Sequence, residues 1–120
     1  MKIDIENKDN GVVLLLEGKI IGDSVSKFRS VIEEQISSDI KWIILNLAGV
    51  PLMDSSALGI IIMAFIKLKE KKGKLAILYA QKNIIDIFNI TKLNTLFEVY
   101  DNMQEAIKSV QTVSLSDNNQ

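Results

Sequence analysis

Cysteine and histidine are both absent from the 120 residues, proline occurs once, and neither sign of charge prevails, with 14 basic against 15 acidic side chains. Without cysteine there can be no disulfide, thiolate metal site or thiol nucleophile, and nothing points to an oxidising compartment. Without histidine the commonest general base is missing. A net charge of −1 gives no field that would draw nucleic acid or an anionic membrane. The longest apolar run, Ala57 to Ile66 with Gly59 inside it, is about half the ~20 residues that a membrane crossing takes. The opening Met1-Lys2-Ile3-Asp4-Ile5-Glu6 alternates charge with apolar side chains and lacks the hydrophobic core of a secretory signal. These absences lead us to expect a soluble, cytoplasmic single domain over residues 1–112, with no membrane insertion and a polar, disordered tail over 113–120.

What is present alternates between strand and helix patterns. Lys2–Glu6 and Val12–Leu16 flank Asp9-Asn10-Gly11, a hairpin signal, and the second run is apolar on both faces as a central strand would be. After Gly18 a short loop reaches Asp23, an expected N-cap for a helix carrying Val25, Phe28, Val31, Ile32 and Ile36 at helical spacing. Lys41–Leu47 reads as a buried parallel strand. A helix opens at Asp54 or Ser55 and closes in lysines with Gly73 as its stop. Leu75–Tyr79 is a further strand, Ile84–Ile90 a short helix and Leu96–Tyr100 a more exposed strand. Asp101 with Gln104 resembles a capping box before a last helix. The expected fold is α/β in the order β-β-α-β-α-β-α-β-α, a mostly parallel sheet of four to five strands with an antiparallel N-terminal edge, flanked by four helices.

In such sheets functional groups gather where strand C-termini meet helix N-termini. Met53-Asp54-Ser55-Ser56-Ala57-Leu58-Gly59 sits at one such junction and 19–24 at another. Nucleophilic attack by Ser55 needs a base, and the nearest lysines in sequence, Lys67 and Lys69, lie several turns along the same helix. The six glycines form neither a dinucleotide fingerprint nor a P-loop, and the aspartates stand on separate elements, so neither a cofactor nor a metal is expected. Helix capping is the plain structural role for Asp54-Ser55-Ser56. Ala57, Leu58, Ile61, Ala64, Phe65 and Leu68 share the face expected against the sheet, leaving Ile60, Ile62, Met63 and Ile66 either covered by other helices or open as an apolar partner surface beside Ser55.

Ile43-Ile44-Leu45-Asn46-Leu47, a short turn and then Asp54-Ser55-Ser56-Ala57-Leu58-Gly59 resemble the STAS domain of bacterial anti-sigma factor antagonists, whose signature is a buried strand followed by Asp-Ser-Ser/Thr-Gly-Leu-Gly at a helix start. The resemblance runs over nearly the whole chain. It implies a protein without catalytic activity that binds an anti-sigma factor acting also as a serine kinase, and so frees a sigma factor. The resemblance makes Ser55 the residue phosphorylated, with Asp54 and Ser56 supporting it. A metal-dependent serine/threonine phosphatase would reverse the step, and ATP and magnesium would belong to the partners. The partner contact is expected to combine Gly22, Asp23 and Ser24 with Leu58, Gly59 and Ile62, and the chain to be a monomer or weak dimer. Two positions depart from the family pattern: Ala57 stands where glycine is usual, which could stiffen the turn or narrow the kinase's approach, and Ile21 where an acid is usual, for which Asp23 could substitute. The alternative is a non-phosphorylated STAS subunit of a sensory scaffold or membrane transporter complex.

Overall fold

The computed structural model describes residues 1–118, and of 112–118 the backbone alone; the tail expected over 113–120 therefore lies outside the fully described residues. In chain order the elements are β1 (Lys2–Asn7), β2 (Gly11–Glu17), α1 (Asp23–Ser37), β3 (Trp42–Gly49), α2 (Ser55–Glu70), β4 (Lys74–Leu78), α3 (Lys82–Ile90), a 3₁₀ turn (Leu93–Thr95), β5 (Glu98–Tyr100) and α4 (Met103–Asn118). The strands form one sheet in the order β1-β2-β3-β4-β5, with β1 antiparallel to β2 and every other pair parallel, as expected.

Because the strands lie in sequence order, each right-handed crossover steps the same way, so α1, α2 and α3 all fall on one face. There Phe28, Ile61 and Phe88 pack with Leu14, Leu45 and Ile77 in the main core. The opposite face is left to α4, whose Ala106 and Val110 close over Val13, Ile44, Ala76 and Leu78 in a smaller cluster. The central strands are thus apolar on both sides for a reason of topology. Three phenylalanines lock the α3 side: Phe97 meets Phe65 and Phe88 edge-on at centroid distances of 6.1 and 5.4 Å.

Local roles differ from the sequence expectations at several places. Gly11 opens β2 because a Cβ there would overlap the Trp42 ring, and the hairpin loop itself is Asp9-Asn10. Asp23 is the first helical residue of α1 and not its cap, which is Gly22 at φ 54° without a side-chain hydrogen bond. At the end of α2 the left-handed residue is Lys72, with Lys72 N donating to Lys69 O and Gly73 N to Leu68 O, a Schellman closure. Gly73 is required for another reason: its missing Cβ leaves room for the Lys41 carbonyl. The cap of α4 is Asn102, whose Oδ1 accepts from Glu105 N at 3.0 Å; Asp101 lies before it. Leu96 and Phe97 precede β5, since the 3₁₀ turn delivers Phe97 into the core before the strand starts. In α2, Ile60 is fully buried beside Ile61, while Leu58 and Phe65, expected on the sheet face, are half-buried.

Candidate functional site

The C-terminal ends of β2 and β3 lie side by side, and the loops that leave them are stitched together. Ile20 N donates to Leu52 O at 2.9 Å, Asp54 N donates to Ile20 O at 3.2 Å, and Ile20 and Met53 form a parallel bridge with both side chains buried. Asp54 then joins three segments at once. Its Oδ1 accepts from Ala57 N at 3.0 Å, capping α2, and its Oδ2 accepts from Gly22 N at 3.4 Å, tying the start of α1 to the start of α2. The structure therefore brings Gly22, Asp23 and Ser24 next to the Ser55 turn although some thirty residues separate them. The far side of the turn is held by α3, where Asn83 Nδ2 donates to Pro51 O at 2.7 Å and Gln81 Nε2 to Ala48 O at 3.0 Å. Neither amide was singled out in the sequence, since a side chain that binds a loop carbonyl across the fold leaves no local pattern.

Ser55 is the first residue of α2, and both it and Ser56 are exposed. The capping role belongs to Asp54 and not to either serine. Among the described residues the Ser55 hydroxyl makes no hydrogen bond, so it is free to react. The backbone amides of Ser55 and Ser56 are orphans of the first helical turn and point toward whatever occupies that end. Ala57, by contrast, is fully buried, so its methyl faces the core and cannot obstruct access to Ser55. Ile21, where the family pattern has an acid, is half-buried, and Asp23 is exposed on the α1 side of the site.

Down the outer face of α2, Ser55, Gly59, Ile62 and Ile66 follow at helical spacing. Gly59 is exposed, Ile62 half-buried and Ile66 49% exposed, with Leu58 half-buried alongside and Leu52, 41% exposed, in the preceding loop. Of the residues whose cover the sequence left open, Ile60 is buried in the main core, Ile62 and Met63 are half-buried, and Ile66 is exposed. Ile66 and Leu52 extend the surface expected from Leu58, Gly59 and Ile62. A Cβ built on Gly59 meets nothing within 4 Å.

This geometry offers an accessible hydroxyl at a helix N-terminus, an apolar stripe leading away from it and a neighbouring loop at fixed distance. Among the described residues there is no cluster of three or more acids that could hold a metal ion, and no helix is long and apolar enough to cross a membrane. The perturbed titrations lie elsewhere, at Glu98 and Tyr100 on β5. The hydrogen bond from the Tyr100 hydroxyl, aided by Lys74, holds the Glu98 carboxyl below its usual range. Burial first, and then the bond to Glu98, pushes the Tyr100 phenol up.

Comparison with known proteins agrees with this architecture. The family model of the STAS domain matches residues 2–106. A curated relative, the anti-sigma F factor antagonist of Paenibacillus polymyxa, is 24% identical over 115 residues, covering 95% of this chain and 98% of its own. A solved Thermotoga maritima protein assigned as an anti-sigma factor antagonist superposes with a TM-score of 0.85 at 20% identity, over 91% of this chain and 94% of that one. The Bacillus cell fate determinant SpoIIAA in its phosphorylated form superposes with a TM-score of 0.73 at 23% identity, over 91% of this chain and 99% of that one. Because the family model spans residues 2–106, most of the chain, the protein belongs to the STAS domain family, a binding module and not an enzyme.

Proposed function

We propose that this STAS domain is an anti-sigma factor antagonist whose grip on an anti-sigma factor serine kinase is switched by phosphorylation of Ser55. The observation that carries the reading is the division of labour at the start of α2: Asp54 caps the helix, which leaves the Ser55 hydroxyl exposed and unbonded. The names of the relatives and the phosphorylated form of a similar structure support it. In this reading the unphosphorylated protein acts in the cytoplasm, binds the kinase through the Gly22-Asp23-Ser24 segment and the stripe of Leu58, Gly59 and Ile62, and frees a sigma factor. A metal-dependent serine/threonine phosphatase restores that form.

Phosphate would add nearly two negative charges and three acceptor oxygens at Ser55. The orphan amides of Ser55 and Ser56 and the positive end of the α2 dipole would receive part of that charge, so the fold tolerates it. The carboxylates of Asp54 and Asp23 stand on the same side and would add repulsion. The charge then falls at the head of an apolar contact stripe, where leaving it desolvated and unpaired costs several kcal/mol, enough to lower affinity by orders of magnitude.

The test is to incubate the protein with ATP and an anti-sigma factor serine kinase from the same organism, then locate phosphate by intact mass and peptide mapping. Phosphate on Ser55 that is lost in Ser55→Ala, with binding abolished on modification, supports the switch. A kinase that binds but leaves Ser55 unmodified, or modifies Ser55→Ala equally, refutes it and returns the protein to the role of a non-phosphorylated subunit of a larger assembly.

A further inference from the structure

β1 is an edge strand whose outer side is unpaired, and its sequence is complementary to itself. Its register with β2 runs without a bulge from Lys2↔Glu17 to Asn7↔Val12. The next pair, Lys8 and Gly11, is hydrogen-bonded, with Lys8 N donating to Gly11 O at 2.9 Å. Bonded and non-bonded pairs alternate along an antiparallel ladder, so Glu6, Asp4 and Lys2 bond to β2, while Ile3, Ile5 and Asn7 turn their N–H and C=O groups outward. Ile3 packs partly on the main core, and Ile5, on the same face, is 41% exposed. Lys2 and Asp4 share the opposite face in a loose ion pair of 3.8 Å, with side chains 66% and 56% exposed.

We propose that β1 pairs antiparallel with β1 of a second copy, joining the two sheets into one. The register is set by charge. With Ile3 opposite Ile3 of the second copy, Lys2 falls opposite Asp4 and Asp4 opposite Lys2, while Met1 and Ile5 meet on the apolar face. Shifting by two residues puts either Asp4 against Asp4, with Lys2 against Glu6, or Lys2 against Lys2, with Asp4 beyond the end of the strand, so each shift sets a like-charged pair at its centre. Charges on an edge usually deter pairing. Here they deter other strands and admit a copy of this one, because the two weak internal pairs, one in each copy, are exchanged for two pairs across the ladder at non-bonded positions, where side chains lie closest. Pairing over so short a segment covers well under the roughly 1,000 Å² of a stable interface, so the dimer forms only in the high micromolar to millimolar range. In it the C-terminal ends of β2 and β3 point opposite ways in the two copies, and both Ser55 sites stay open.

Sedimentation equilibrium over micromolar to millimolar concentrations tests this. The expected result is a mass rising toward the dimer. Ile5→Pro should abolish the rise with little loss of stability, since the N–H it removes faces away from β2. Asp4→Lys should weaken association at least tenfold by setting lysine against lysine, and the exchange Lys2→Asp with Asp4→Lys should restore it. A mass that stays monomeric throughout, a dimer that survives Ile5→Pro, or a charge exchange that fails to restore association overturns the proposal. Ser55→Ala should leave the dimer unchanged, which keeps this test independent of the phosphorylation reading.

Discussion

Replacing Gly59 by alanine separates what the fold needs from what a partner needs. A glycine in the second turn of an exposed helix face is unfavourable by about 0.8–1.0 kcal/mol relative to alanine. Glycines at other positions in this chain are explained by a neighbour: Gly11 by the Trp42 ring, Gly73 by the Lys41 carbonyl, Gly49 by Glu17 and the Leu16 carbonyl. Around Gly59 a new methyl would meet nothing within 4 Å, so the full helix preference should be recovered. Gly59→Ala should stabilise the domain by about 1 kcal/mol, raising the melting temperature by about 3 to 6 °C. Gly59 lies one turn below Ser55 on the same face, where only glycine lets another backbone approach closely. The same methyl should then overpack the complex by about 1–3 kcal/mol, a loss of about 5- to 150-fold in kinase affinity. Urea denaturation and a titration against the kinase measure the two effects on one sample. Destabilisation would show that the space around Gly59 is not open, and unchanged affinity in a stabilised variant would remove Gly59 from the contact surface.

Asp54→Ala should lose about 1 kcal/mol by chemical denaturation and release the Gly22 tie, while Asp54→Asn, which still caps, should lose little. Lys72→Gly should stabilise by about 1 kcal/mol, because φ 62° strains a side chain and the Schellman bonds are backbone bonds that persist; thermal unfolding reads this directly. The Glu98 carboxyl, lowered chiefly by the Tyr100 hydroxyl, contributes stability that is present above its unfolded-state value and fades as pH falls through the carboxylate range. Denaturation across that range should therefore show Tyr100→Phe losing its deficit on the acid side. The effect should be well under 1 kcal/mol, since the pair is exposed. A deficit that grows on acidification would contradict the assignment.

The fold was largely legible because its signals are redundant. β3 and β4 are apolar on both faces, which only a covered parallel strand explains, and α2 carries a capping aspartate at one end and lysines at the other. What escaped notice depends on contacts between distant segments. Asp101 and Asn102 are equally good caps by type, and the path of the chain after β5 selects Asn102. Gly11 and Gly73 look like turn residues until Trp42 and Lys41 arrive beside them. Gln35 is buried at 8% exposure, although its neighbours Glu33 and Glu34 are exposed, because α1 turns that position inward. At the site, the Asp54-Ser55 segment was legible as a motif, but which of its oxygens caps the helix was not. That depended on Asp54 adopting an extended backbone at the junction, where its carboxylate reaches Ala57 N and the Gly22 amide together.

The Asp54 carboxylate that ties the two loops also bears on timing. With α2 capped and its first turn sewn to the end of β2, the surface around Ser55 is assembled before any partner arrives. Adding or removing a phosphate there changes what a partner meets without requiring the backbone to find a second arrangement. Under the proposed function, a switch built this way would keep no history of its own: its output would follow the current ratio of kinase to phosphatase, and its delay would be the turnover time of those enzymes.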